Sequence, residues 1–174
     1  VTVSFDEAVS GCEKIITLQN LQTGRRQSLQ VHIPAGIDTG KSIRLKGKGM
    51  PGSNGGEAGD LLLNITVTTK PGWERKDMDV YSTVRVPFTT AVFGGEALVQ
   101  TLYGKVLCKI AAGTQSGTKI KLKGKGIVSM KNPSIHGNQY VTVQIDVPNH
   151  LTPEAEQKLR EFEHACGLNK NSQG

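Results

Sequence analysis

Apolar and polar residues alternate with a period of two along several stretches of the chain, and each such stretch has a counterpart further on. Leu29, Val31 and Ile33 are in phase in the first half, as are Val106, Cys108 and Ile110 in the second. Leu61, Leu63, Ile65 and Val67 repeat the alternation and are answered by Val141, Val143, Ile145 and Val147. Successive side chains of a strand point to opposite faces, so this pattern predicts strands with one buried face. Glycines punctuate the strands, and AGIDTG and AGTQSG read as hairpin turns. Short helices are expected at 5–9 and 89–93. A longer one is expected at 154–166, with Thr152 as its cap, Pro153 in its first turn and Gly167 behind it. Ala155, Leu159 and Phe162 form its apolar face, which needs a second surface to cover it.

The counterparts form an internal repeat. VHIPAGIDTGKSIRLKGKG at 31–49 aligns without gaps on CKIAAGTQSGTKIKLKGKG at 108–126, with ten of nineteen positions identical. VTVSFDEAVSGCE at 1–13 resembles VRVPFTTAVFGGE at 84–96, and GDLLLNITV at 59–67 resembles GNQYVTVQI at 137–145. Self-similarity on this scale fixes the architecture. The expected fold is all-β: two tandem related domains, antiparallel sandwiches or open barrels, with short helices and a C-terminal α-helix. The first domain is placed at 1–75, the second at 76–150, the helix at 151–167 and a tail at 168–174.

The 174 residues suffice for two small cores, and an apolar content of 36% is ordinary for a globular protein. No apolar run approaches the ~20 residues that cross a bilayer, and VTVSFDEAVSG lacks the features of a signal peptide. A cytoplasmic protein is expected. Cys12, Cys108 and Cys166 are isolated from one another and form no C-x-x-C pair, so reduced thiols are expected and no metal or other cofactor. GKGMPG at 47–52 matches the letters of a dinucleotide fingerprint but has no helix behind it, and GIDTGKS has one residue too few for a phosphate-binding loop. Asn64-Ile65-Thr66 spells a glycosylation acceptor inside a strand. His32, His136, His150 and His164 have no ligand spacing, and there is no nucleophile elbow or paired-carboxylate arrangement. The chain is expected not to be an enzyme.

In their order, VSFDEAVSG, VHIPAGIDTGKSIRLKGKGMPG, GDLLLNITVTTKPGWERK, MDVYSTVRVPFTTAVFGGEA, IAAGTQSGTKIKLKGKG and VPNHLTPEAEQKL resemble the C-terminal client-binding region of the DnaJ family of J-domain co-chaperones. That resemblance implies two β domains, of which the first holds unfolded polypeptides, a terminal segment that makes homodimers, and delivery of clients to a DnaK-type ATPase chaperone. There is no His-Pro-Asp tripeptide, so the chain reads as a fragment that does not stimulate a partner's ATPase by itself. QNLQTGRRQS stands where zinc-binding members carry cysteine repeats, a likeness to the zinc-free, CbpA-like type II subclass. The start at Val1 is expected to fall within the first strand.

An unfolded chain offers backbone hydrogen bonds and apolar side chains, so its receptor needs an open strand edge beside an apolar surface. The resemblance puts the client groove at Val1, Val3, Ile16 and Leu18, with Trp73 as its aromatic, and Lys14 as the candidate for an acidic chaperone tail. In the second copy Val99, Thr101 and Leu151 replace Ile16, Leu18 and Trp73 and are smaller or more polar, which favours the first copy as binder. Leu159 and Phe162 are the expected dimer contacts. The alternative function is a basic β protein that binds nucleic acid. Lys and Arg outnumber Asp and Glu by 21 to 15, and the KGKG turns are basic. No aromatic residue interleaves with those lysines along the chain, which favours solvated turns.

Overall fold

Where alternation predicts strands, the chain is extended. The structure, a computed structural model, describes residues 1–19, 24–49 and 59–168. The first half comprises β1 (Thr2–Val3), α1 (Phe5–Ser10), β2 (Cys12–Gln19), β3 (Arg26–Ile33), β4 (Ser42–Leu45), β5 (Leu61–Asn64) and β6 (Thr66–Val67). The second comprises β7 (Glu74–Lys76), β8 (Asp79–Pro87), α2 (Phe88–Phe93), β9 (Gly95–Thr101), β10 (Gly104–Ile110), β11 (Lys119–Leu122) and β12 (Gln139–Asp146), followed by α3 (Pro153–Cys166). This is an all-β fold with a C-terminal helix. Residues 20–23, 50–58 and 169–174, which include most of the QNLQTG connection, the end of GKGMPG and the tail, lie outside the described residues.

β2 pairs with β3 from Cys12 opposite Ile33 to Gln19 opposite Arg26, and β9 pairs with β10 in the same antiparallel way. β4 pairs with β5, while β11, β12, β8 and β7 form one four-stranded sheet. Two pairings depart from the antiparallel expectation: β1 runs parallel to β6, and β12 runs parallel to β8 over eight residues. Parallel neighbours need a long crossover, and the whole segment from α2 to β11 supplies it between β8 and β12.

The AGIDTG and AGTQSG turns are not hairpins. They carry the chain out of the β2–β3 and β9–β10 pairs into different sheets, because their amides bond elsewhere. Gly36 N–H donates to Ala8 O (2.8 Å) and Gly40 N–H to Ile65 O (3.0 Å). Gly113 N–H likewise donates to Ala91 O and Gly117 N–H to Val143 O, both at 2.8 Å. The LKGKG identity has a similar basis, since the amides of Gly47 and Gly124 donate to the side chains of Asp60 (2.9 Å) and Asn138 (3.0 Å).

Each half has its own core, one around Val3, Ala8, Val31, Ile33, Leu63 and Ile65 and the other around Val84, Val99, Ile110, Val141 and Val143. A third cluster joins Phe5 and Val9 of α1 to Val80 and Ile127 of the second half, with Trp73 and Leu102 packed against it. Arg75 crosses the same junction. It sits on β7, which pairs with β8, so the expected boundary after residue 75 runs through a strand of the second sheet. Its guanidinium donates to the carbonyls of Gly36 (2.8 Å), Ile37 (2.5 Å) and Asp77 (2.8 Å). Burial lowers the pKa of Arg75, and the nearby Asp38 and Asp77 oppose that shift.

α3 begins and ends as its sequence predicts. Thr152 Oγ1 accepts from Ala155 N–H (3.1 Å), and Gly167 takes the left-handed conformation at φ +67° and donates to Glu163 and His164 carbonyls. Among the described residues no helix is long and apolar enough to cross a membrane.

Candidate functional site

β2 presents two different faces. Cys12, Lys14, Ile16 and Leu18 are half-buried, whereas Glu13, Ile15, Thr17 and Gln19 point outward, with Ile15 75% exposed. Among the described residues β3 is the only strand paired with β2, so the opposite edge of β2 offers unpaired backbone groups. Ile16 packs against the first core alongside Cys12 and Leu29, while Leu18 is half-buried. Lys14 shares their face and forms a 3.1 Å ion pair with Glu7.

Glu7 is held there by α1. Ser4 caps the helix by accepting from Glu7 N–H, and Glu7 Oε1 accepts from Ser4 N–H in return. That backbone hydrogen bond, followed by the contact with Lys14, lowers the pKa of Glu7 below the usual carboxylate range.

The remaining expected groove residues fall in different places. Val1 is 37% exposed, but Val3 is only 1% exposed and its side chain belongs to the first core. Trp73 joins the junction cluster, not the row on β2, and its ring lies 6.1 Å from that of Phe5 at 34°. The structure thus groups Lys14, Ile16 and Leu18 on one face, with Ile16 packed against the core that holds Val3, and puts Trp73 in the junction cluster instead.

The second copy treats the corresponding positions differently. Val99 and Thr101, the counterparts of Ile16 and Leu18, are 2% and 3% exposed. Thr101 Oγ1 donates to Gly104 O (2.6 Å) and accepts from Tyr103 N–H, and the Tyr103 hydroxyl donates to Gly126 O (2.6 Å). A two-residue connection, Leu102 and Tyr103, closes this hairpin. In the first copy β2 and β3 are joined by residues 20–25, a longer connection.

The model of the DnaJ C terminal domain matches residues 1–148. The chain belongs to this family. It is 41% identical over 145 residues to the chaperone protein DnaJ of Lachnospira eligens, covering 83% of this chain and 39% of that protein. It is 44% identical over 143 residues to the chaperone protein DnaJ of Parageobacillus thermoglucosidasius (82% and 37%), and 45% over 137 residues to that of Burkholderia thailandensis (79% and 36%). The chain therefore spans about two fifths of the length of these DnaJ relatives.

A second feature of this DnaJ C-terminal chain lies between the matched residues and the helix that follows them. α3 leans over α2 and the segment after β12, enclosing a cleft of about 990 Å³ lined mainly by Phe88, Val92, Phe93, Val147, Leu151, Leu159 and Phe162. Phe88 and Phe162 meet edge to face at 6.4 Å. Leu159 and Phe162 remain 43% and 39% exposed, and Phe93 79%. The apolar face of α3 was expected from its sequence, whereas α2 as the opposite wall was not. The signal was present, since Phe88 and Val92 are four apart, and Phe93 interrupts the repeat where its counterpart in the first copy is Ser10.

Among the described residues no three His, Cys, Asp or Glu side chains gather to hold a metal ion. Cys108 is buried, which raises its thiol pKa; Cys12 is half-buried and Cys166 exposed. His32 pairs across strands with Glu13 at 2.7 Å, and His136 packs edge-on against Tyr103.

Proposed function

We propose that the chain is the client-holding part of a co-chaperone, and that an extended, unfolded polypeptide adds as a strand to the open edge of β2. Its backbone pairs with β2 while its apolar side chains rest on Ile16 and Leu18, with Val1 at the rim and Val3 as floor. One observation carries this reading. The first copy leaves Ile16 and Leu18 half-buried beside an unpaired edge, whereas the second copy buries Val99 in its core and Thr101 in hydrogen bonds to Gly104 and Tyr103. Fully burying a large apolar side chain is worth about 1.5–3 kcal/mol. Two or three such anchors and a few backbone hydrogen bonds, less the cost of ordering the peptide, reach the ~8 kcal/mol of a micromolar complex.

The family membership supports delivery of the held client to a DnaK-type ATPase chaperone. In this reading Lys14 is a contact for that partner's acidic tail, which competes with Glu7 for the ammonium. Trp73 acts indirectly, by fixing α1 through Phe5. The uninterrupted β2–β3 pairing, Gln19 opposite Arg26, supports the zinc-free subclass. The cleft under α3, with Leu159 and Phe162 half-exposed, supports a homodimer in which a second copy covers it. A client-binding first domain and a second β domain, with the boundary moved ahead of β7, complete the proposal.

The test is anisotropy of a fluorescein-labelled apolar peptide titrated with wild-type, Leu18→Asp and Ile15→Asp chains. Leu18→Asp should weaken binding at least tenfold, whereas Ile15→Asp, on the outer face, should bind as wild type does. Equal binding by all three removes the β2 site. Apolar capture should also change little between low and moderate salt.

A further inference from the structure

We propose that the free edge and outer face of β10 dock an extended acidic segment of a partner protein, one that carries an apolar side chain between two carboxylates at alternate positions. This goes beyond the client reading and uses none of its residues. Among the described residues β9 is the only strand paired with β10, so the other edge of β10 offers unpaired backbone groups. Cys108 and Ile110 are buried in the second core and Val106 packs against it, which turns Lys105, Leu107 and Lys109 outward, all three exposed. Leu98 lies directly opposite Leu107, and the two are 57% and 61% exposed. Outward apolar residues of the first copy stand alone, Ile15 opposite Gln30 and Leu62 opposite Arg44. Single exposed leucines are ordinary, whereas two that meet across a ladder form a patch.

The charge around the leucines decides what covers them. Lys105 and Lys109 flank Leu107 on the same strand, ~13 Å apart. Among the described residues neither is paired with a carboxylate. Glu96 stands opposite Lys109 but on β9, two strand spacings or ~10 Å from a strand added at the free edge of β10. A second copy is a poor occupant. Antiparallel pairing of β10 with itself about Leu107 sets Lys105 of one copy opposite Lys109 of the other at both ends, and like charges directly opposite repel. The same two ammonium groups attract a strand that carries carboxylates in those places.

Such a strand pairs its backbone with the β10 edge, rests its central apolar side chain on Leu107 beside Leu98, and sets its carboxylates on Lys105 and Lys109. It extends the β9–β10 pair to three strands. The repeat supplies an internal control. Ser28, Gln30 and His32 hold the corresponding positions of β3, and His32 is already engaged by Glu13 at 2.7 Å. The first copy therefore has neither the leucine pair nor a free cation on each side of it.

The test uses two fluorescein-labelled peptides, one with Glu, Val, Leu, Val and Glu at its centre and one with Lys in place of both Glu, each titrated with the whole chain by anisotropy. Wild type should bind the acidic peptide about tenfold more tightly than the basic one, and Lys105→Glu with Lys109→Glu should reverse that preference. Lys119→Glu with Lys121→Glu, an equal change of net charge elsewhere, should keep it. Leu107→Ser, which leaves the second core untouched, should weaken the acidic peptide about fivefold. Leu18→Asp should leave its affinity unchanged, which separates this site from the client edge. Absence of binding, a preference that survives reversal at Lys105 and Lys109, or one lost equally by reversal at Lys119 and Lys121 overturns the proposal. So does loss of the acidic peptide in Leu18→Asp, which would place it on β2. Light scattering that shows self-association abolished by Leu107→Ser, with no peptide bound, would give the face to a second copy instead.

Discussion

Arg75 is the residue whose loss should most directly uncouple the two halves. Its side chain is only 10% exposed, it donates to three backbone carbonyls, and Asp38 lies 3.6 Å away. A hydrogen bond from a charged donor contributes about 1.5–3 kcal/mol net, and three taken together would suggest ~5–9 kcal/mol. Such terms are not additive within one network. Asp38 is 40% exposed, so its ion pair contributes little. Arg75→Ala is therefore expected to cost ~3–4 kcal/mol, in the range for removing one partner of a buried charged contact. With a urea dependence of ~2 kcal/mol per molar, the unfolding midpoint should fall by ~1.5–2 M. Trp73 emission is the natural reporter, because the indole packs at the same junction. Arg75→Lys should fall between the two, since one ammonium cannot replace the fork that reaches Gly36 and Ile37 together. A midpoint shift below ~0.3 M for Arg75→Ala, or a lysine variant as stable as wild type, would refute the latch.

Two further outcomes follow from the same geometry. Gly36 and Gly113 are repeat counterparts with φ of +91° and +79°, but a Cβ on Gly36 would lie 2.1 Å from the carbonyl oxygen of Val128, whereas one on Gly113 meets nothing within 4 Å. Gly113→Ala should cost the ~1–2 kcal/mol of a left-handed non-glycine residue, and Gly36→Ala clearly more. Urea midpoints of the two variants check this, and equal values contradict the close approach. Phe162→Glu puts a charge in the apolar cleft under α3, and light scattering should then report a smaller particle than wild type at tens of micromolar. A wild-type monomer at that concentration counts against a second copy as the occupant.

The strand alternation, the repeat and the ends of α3 were legible in the sequence because each depends on near neighbours: side-chain period, turn glycines, and a capping threonine followed by proline. Local chemistry also marked the row of Ile16 and Leu18, since alternate residues of one strand must share a face. Sequence alone did not determine pairing direction, because a parallel or antiparallel partner for β12 is chosen by how the long β8–β12 segment returns, which no short window encodes. It likewise left open whether Trp73 joins that row. The indole instead fills the junction between Phe5, Val80 and Ile127, residues brought together only when both halves have folded. The repeat showed Val99 and Thr101 to be smaller or more polar than Ile16 and Leu18, but not how deeply any of them is buried. Only the tertiary structure, which makes Val99 part of the second core while Ile16 rests against the first, decided that one is sealed and the other remains half-open. Burial is a property of what packs on a residue from elsewhere in the chain, and so it is settled last.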